Sequence, residues 1–461
     1  MKKIALLLWL AWLLAPLAAP AADIDWRKAG DNAAQLLSAY IKIDTTNPPG
    51  NESAAAKFLA RRFKQAGIES QVLESARGRG VVVARLPGRG RKRPVVLLNH
   101  LDVVPADPPG WELPPFSGTI REGYVWGRGA LDCKGIGAVQ ATAMVTLRRA
   151  GIALDRDVIF VGTADEEAGG QLGAGWFAEN RLALVREAEF LLNEGGSIRL
   201  RAGGTRAYEV AVSEKTPCWV KLTATGEAGH GSSPRPQTAV TRLISALERL
   251  HRYQPELRVV PEVAAHYAAL ADTVAEPKRS RYRDLRAALN EAGFREEFLA
   301  DRHDAALVRN TIAPTVLRGS NKTNVIPGIA SAEVDCRLLP DENPETFVQT
   351  LRQVVGDDAV TIEKLLSFPP SSSSTDTALY RAIQTVAARE QAPVVPSVLA
   401  GFTDSHYFRA HGIASYGFVP FEVSEDDEAR VHGTNERVSL DNLRNATRRL
   451  VAILQALDQE L

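Results

Sequence analysis

Between residues 24 and 205 the apolar positions repeat with two periods in turn. "NAAQLLSAYIKI" (32–43) and "ESAAAKFLARRFKQAG" (52–67) space them for one face of a helix. "RGVVVARLPG" (79–88) and "RPVVLLNHLDVVP" (93–105) are β-rich runs closed by Gly or Pro. "GIGAVQATAMVTLRRAG" (135–151) reads as a helix of small residues. "DRDVIFVGTADEE" (155–167) reads as a buried strand that ends in acids, and "REAEFLLNEGG" (186–196) as a further apolar strand. Alternation of this kind predicts an α/β sheet with helices on both faces, whose ligands gather at the carboxyl ends of the strands. From 207 to 367 the texture changes. "AYEVAVSEKTPCWVKLTATGEAG" alternates like a half-exposed hairpin, "TAVTRLISALERLHRY" is an amphipathic helix, and a strand, a helix and a last strand follow from 324. Two hairpin-plus-helix units predict a small antiparallel α+β lid, inserted in the first domain and enlarged by a charged, helix-rich stretch at 256–306. "FPPSSSSTDT" leads back, and the α/β pattern resumes to the end. The expected division is a catalytic domain over 23–206 and 368–461 with a lid over 207–367.

Composition narrows the classes. With 461 residues, 45% of them hydrophobic and 24% charged, the chain is globular and long enough for more than one core. Its 55 basic residues balance 55 acidic ones, so no charge field points to nucleic acid. Lys2 and Lys3, the apolar run "IALLLWLAWLLAPLA" and the small-x-small "APA" at 19–21 predict a signal peptide over 1–22. The mature chain is then expected to be exported, periplasmic or secreted, with no membrane attachment. An uncleaved anchor is the alternative. Three cysteines, Cys133, Cys218 and Cys336, are too few for a disulfide scaffold.

The chemistry sits just past the apolar strands. "NHLDVV" carries His100 and Asp102, "GRGALDCKG" Asp132, "TADEEAGG" Glu166 and Glu167, "LNEGG" Glu194 and "VHGTNE" His432. Any one of these acids alone would be read as a turn or cap residue. Two imidazoles with several carboxylates in Gly-rich surroundings suit zinc or a similar divalent ion. Neighbours on extended backbone point to opposite sides, so of Glu166 and Glu167 one can bind a metal while the other reaches the activated water. A solvated acidic loop near a helix N-terminus is the alternative. His100 and Asp102 share one strand face, so the carboxylate can hold the imidazole; a buried His–Asp bond without metal is the competing reading.

Taken in order, "NHLDVVP", "GRGALDCKG", "TADEEAGG", "LNEGG" and "VHGTNERV", with "GHGSSP", "TNVIPGIASAEVDCRLLP" and "GFTDSHYF", resemble the co-catalytic di-zinc metallopeptidase family twenty. That family holds aminoacylase, glutamate carboxypeptidase, carboxypeptidase S-like enzymes and succinyl-diaminopimelate desuccinylase. The resemblance implies a zinc-peptidase-like domain with a mixed sheet between helices and a ferredoxin-like lid and dimerisation domain. It implies two Zn2+ per subunit, with Co2+ or Mn2+ able to substitute. Asp132 would bridge them, His100 and Glu194 completing one site and Glu167 and His432 the other. Asp102 would clamp His100, Glu166 would be general base and then acid, and the Asp132–Cys133 peptide would be cis. His230 matches a lid histidine that reaches a partner subunit's site in a homodimer; Asn324 and Arg337 match groups that hold the substrate's carboxylate. The implied activity is zinc-dependent exopeptidase hydrolysis, of carboxypeptidase or dipeptidase type, at an amide next to a free carboxylate. The alternatives are an N-acyl-amino-acid amidohydrolase and, from another class, an idle metal- or peptide-binding protein. One departure stands out: Gly401-Phe402-Thr403-Asp404 places an aromatic where many members have a second glycine, which predicts a narrower or more apolar pocket.

Overall fold

The computed structural model describes residues 23–200 and 204–460. The segment 1–22, expected to be a signal peptide, lies outside them. The strand Val95–His100 shows why the chain folds as it does. Val95 and Leu97 face one hydrophobic core, Val96 and Leu98 a second on the opposite side. Every residue of it is buried, as expected for a strand covered on both faces. Val158–Thr163 and Phe190–Asn193 run parallel on either side of it, and Ala414–Gly417 runs parallel to the latter. They form the centre of a ten-stranded mixed sheet with antiparallel pairings on both sides of them. On one face the helices Trp26–Ile41, Lys134–Arg149, Ala378–Arg389 and Leu440–Gln459 pack into the larger core. On the other, Phe177 and Phe408 close a smaller core. The α/β expectation and its two helical faces are met.

The smaller domain is a four-stranded antiparallel sheet in the order 311–318, 329–338, 216–225, 360–367. The helices Ala239–Arg252 and Pro344–Val355 share one core with it, through Leu243, Leu250, Phe347 and Leu351. This is a ferredoxin-like strand order.

Two parts of the expected lid lie elsewhere. The strand Arg206–Glu214 belongs to the large sheet, pairing with Val394–Leu399 and Ser197–Leu200. Its alternation suits a half-exposed hairpin, but both faces are covered: Tyr208, Val210 and Val212 enter the main core while Ala207 enters another. That other core is made by the helical stretch after 256. Val263, Tyr267, Phe294 and Phe298 pack with Val395 and Val398 of the large sheet. The stretch therefore thickens the catalytic body and does not enlarge the lid. Buried Lys215, between the strand Arg206–Glu214 of the large sheet and the strand Thr216–Thr225 of the small one, donates to the carbonyls of Ala306 and Arg309, both at 2.7 Å, which fixes the end of the helical stretch at the junction.

Candidate metal centre and active site

Three neighbouring parallel strands deliver the site. His100 is the last residue of its strand, Glu194 follows the strand Phe190–Asn193 directly, and Glu166 and Glu167 follow Val158–Thr163 after a two-residue turn. Apolar runs hold the strands between the helical layers, and polar residues begin where the runs stop. The carboxyl ends thus present the acids and imidazole side by side. Asp132 comes from the loop before the helix Lys134–Arg149, and the Asp132–Cys133 peptide is cis. His432 comes from the loop ahead of the strand Arg437–Ser439.

Two clusters share one carboxylate. His100 Nε2 lies 2.9 Å from Asp132 Oδ1 and 3.5 Å from Glu194 Oε2. His432 Nε2 lies 3.2 Å from Asp132 Oδ2 and 3.4 Å from Glu167 Oε2. The buried thiol of Cys133 belongs to the first cluster; sequence reading assigned it no role. His100 Nδ1 faces only acceptors, the carbonyl of Asp102 at 3.0 Å and its carboxylate at 3.5 Å. It therefore keeps its proton in the neutral ring, whose remaining lone pair falls on Nε2, the atom that would bind a metal. The nearer partner is the carbonyl, not the carboxylate that the sequence pattern suggested. The Asp102 carboxylate instead accepts from the main-chain amides of Glu166 (3.2 Å) and Glu167 (3.1 Å) and from Asn47 Nδ2 (2.8 Å). One buried acid thus supports the imidazole and the paired glutamates together.

The electrostatics are those of a crowded anionic site. Burial, with the Glu194 charge second, holds Glu166 well above the usual carboxylate range. Burial likewise raises Glu194 to about 7. Hydrogen bonds to Asp132 and Glu167 hold His432 up at about 10. Glu167 Oε1 is buried with no hydrogen-bond partner. Protons bind tightly here because carboxylates lie close together in a dry place, and divalent cations answer the same need. Imidazole and carboxylate donors, the shared Asp132 and the orphaned Glu167 oxygen fit a pair of such ions.

Two supports escaped the sequence reading. Buried Glu436 accepts from the amides of Gly129 (3.0 Å), Leu131 (2.7 Å) and Asp132 (3.1 Å) and pairs with Arg128 at 2.8 Å. Arg128 also donates to the carbonyls of His432 (3.2 Å) and Gly433 (2.9 Å), joining the loops of the two ligands. The opposite charges in "GRGALD" and "HGTNE" were the available signal. Behind Asp102, Arg79 pairs with Glu52 (2.6 Å) and Asp165 (3.4 Å) and donates to Asn47 (2.9 Å). Asp165, in the left-handed region at φ +70°, caps the amide of Leu172 at 2.9 Å, a loop role.

Asp132, Glu166, Glu167, Glu194 and His432 line one cavity of about 380 Å3, and Phe402 forms part of its wall. The Phe402 ring packs on Phe368 and, across to the small domain, on Trp219 and the Arg337 guanidinium 5.0 Å away. His230, Asn324 and Arg337 do not line the cavity. Arg337 stands behind Phe402, held by Asp335 at 2.7 and 3.0 Å. His230 and Asn324 are exposed neighbours on the two-stranded pairing 229–230 with 325–326. The Ser232 amide donates to His230 Nδ1 (3.1 Å), so the neutral ring carries its proton on Nε2.

Two clusters of imidazole and carboxylate that could hold a pair of metal ions are what this geometry defines, and the comparisons place the chain among metallopeptidases. The description of Peptidase family M20/M25/M40 matches residues 96–456, and the chain belongs to that family of hydrolases acting on peptide and amide bonds. It is 30% identical over 378 residues to the N-fatty-acyl-amino acid synthase/hydrolase PM20D1 of Mus musculus, covering 79% of this chain and 74% of that one. It is 30% identical over 411 residues to aminoacylase-1A of Rattus norvegicus, covering 87% and 90%. Its fold matches the M20 family metallo-carboxypeptidase Sso-CP2 from Sulfolobus solfataricus with a TM-score of 0.72 at 19% identity, over 93% of this chain and 99% of that one.

Proposed function

We propose that the chain hydrolyses the amide bond next to a free carboxylate, in small peptides or N-acyl amino acids, with two zinc ions held by its paired clusters. His100, Asp132 and Glu194 would hold one ion, and Asp132, Glu167 and His432 the other. The observation that carries this reading is Asp132, placed between two imidazoles at 2.9 and 3.2 Å beside the buried Glu166. Bound ions would supply Lewis acidity to a water and to the scissile carbonyl. Glu166 takes the proton of the attacking water as the C–O bond forms. It returns that proton to the leaving nitrogen as the C–N bond breaks. Its burial favours this shuttle, because a carboxyl held well above its ordinary range is a stronger base than a solvated one.

From the small domain, Arg337 would exchange Asp335 for the substrate's carboxylate, whose two oxygens suit the guanidinium fork, with Asn324 the second holder once the exposed pairing beside it meets a cavity. His230 donates from Nε2 to the developing oxyanion of a partner subunit. Supporting a dimer, Ile244, Leu317 and Ile329 are large exposed apolar side chains of the small domain, and Thr311–Arg318 is an edge strand of its sheet. The leader sequence supports export. Among the described residues no helix is long and apolar enough to cross a membrane.

The test is hydrolysis of dipeptides and N-acetyl amino acids by the purified chain, stripped of metal and then reloaded with zinc or cobalt. Release of the carboxylate-bearing amine only after reloading is expected. Equal rates in stripped and reloaded protein, or no hydrolysis of either class, would overturn the proposal.

A further inference from the structure

We infer that Cys218 and Cys336 form a disulfide across the two middle strands of the small domain when the chain folds in an oxidising compartment. The inference is independent of the amide-hydrolase reading. Pro217 pairs with Arg337 and Val220 with Val334, so this antiparallel register sets Cys218 opposite Cys336. Both side chains are fully buried in the core that the small domain's two helices cover. The alternation agrees: Cys218, Val220 and Leu222 enter that core from one strand, Val334, Cys336 and Leu338 from the other. Directly opposed residues of antiparallel strands have Cα atoms about 4.5 or 5.5 Å apart, within the range of about 4.4 to 6.8 Å that a disulfide spans. Cys133 lies in the main core, beside the metal clusters.

All three thiols are free in the structure. Once folded, the opposed pair reacts poorly: burial pushes the Cys218 thiol up to about 11 and Cys336 higher still, and the thiolate is the reacting form. The bond therefore forms while the strands pair, before the helices Ala239–Arg252 and Pro344–Val355 cover them. The oxidant is a small-molecule disulfide such as oxidised glutathione. One cysteine thiolate attacks it, forming a mixed disulfide and releasing one glutathione thiolate. The second cysteine thiolate attacks the protein sulfur of that mixed disulfide, forming the Sγ–Sγ bond and releasing the other glutathione thiolate. The cysteine pair gives two electrons to the glutathione disulfide, and its two protons pass to the released thiolates. Between Cys218 and Cys336 the chain runs out through the helical stretch on the catalytic body and back along the edge strand Thr311–Arg318. Closing so long a loop restricts the unfolded chain strongly. The bond also fastens the two strands whose other face sets Trp219 and Arg337 against Phe402.

The experiment refolds the full chain from urea in a buffer of oxidised and reduced glutathione, blocks free thiols with an alkylating agent in denaturant, and maps the peptides by mass. Cys133 alone should be alkylated, and the peptides holding Cys218 and Cys336 should appear linked, lighter than their sum by two hydrogen atoms. Reductant should lower the urea midpoint of this oxidised form, and the midpoint of Cys336→Ala should not respond to it. Alkylation of Cys218 and Cys336 along with Cys133, a bond to Cys133, or a wild-type midpoint indifferent to reductant overturns the inference and leaves amide hydrolysis untouched. If the urea-unfolded chain does not refold, the full chain directed to an oxidising compartment during expression and alkylated without refolding is read in the same way.

Discussion

Asp132 has its two oxygens 2.9 and 3.2 Å from separate imidazoles, and around it the residue-scale logic is charge against burial. Burial raises Glu194 to about 7, and hydrogen bonds to Asp132 and Glu167 hold His432 at about 10, so without a cation protons offset part of the negative charge. Loading metal must drive those protons off, since ligands bind in their deprotonated forms. Protons compete below these values, so apparent zinc affinity should rise as pH increases from about 6 to 8, with net proton release; calorimetry in buffers of different ionisation enthalpy measures it. Glu166→Gln keeps the ligands but has no proton to shuttle. Zinc content should stay at wild-type stoichiometry while kcat falls about 10²- to 10⁴-fold. Turnover near wild type would rule Glu166 out as the base. Asn47→Ala takes the 2.8 Å donor from Asp102, which positions His100 and both glutamate amides. Chelator competition should show zinc affinity reduced about 10- to 100-fold.

At the scale of elements, Lys215 is the clearest case of a group whose setting decides its chemistry. It lies between strands of two different sheets and is fully buried. Burial pushes its ammonium down to about 7, well below the ordinary lysine value. Between that value and the ordinary one, the unfolded chain binds more protons than the folded one, so stability rises with pH through this window. Urea denaturation of wild type and Lys215→Met should therefore give a stability difference that shifts in favour of wild type as pH goes from about 7 to 10. A pH-independent difference would mean that the folded ammonium titrates normally. The aromatic set of Trp219, Phe402 and Phe368, with Arg337 over two of the rings, is a second junction between the domains. It gives the Phe402 ring a packing role at that junction.

For the whole molecule the open matter is which surface completes the cavity. His230 and Asn324 sit together on an exposed pairing of the small domain, away from the cavity of their own chain. If His230 acts in a partner's site, Glu166→Gln and His230→Ala are each inactive, yet a mixed dimer contains one intact site. Mixing the two after dissociation should restore about a quarter of wild-type activity, as random pairing in a twofold dimer requires. No recovery, or full activity in a monomer, would remove the trans role.

The ligand motifs were legible because each follows an apolar run that must be a buried strand, and buried parallel strands put their carboxyl ends on one edge. His100, Glu166, Glu167 and Glu194 could be placed together on that argument alone. Glu436 and Asn47 could not. Each acts on a loop or carboxylate distant in the chain, Glu436 on the amides before Asp132 and Asn47 on Asp102, and only for Glu436 did a charge opposite to Arg128 offer a hint. The boundary at 207 misled because alternation records which side chains are apolar, not what covers them. Tyr208 and Ala207 face different cores supplied by separate stretches of chain. Local pattern thus determined the elements and the order of the ligands. Only tertiary structure decided which helices cover each face, which amides hold Asp132, and how apolar the cavity beside it is, because those contacts join segments with no periodic relation to one another.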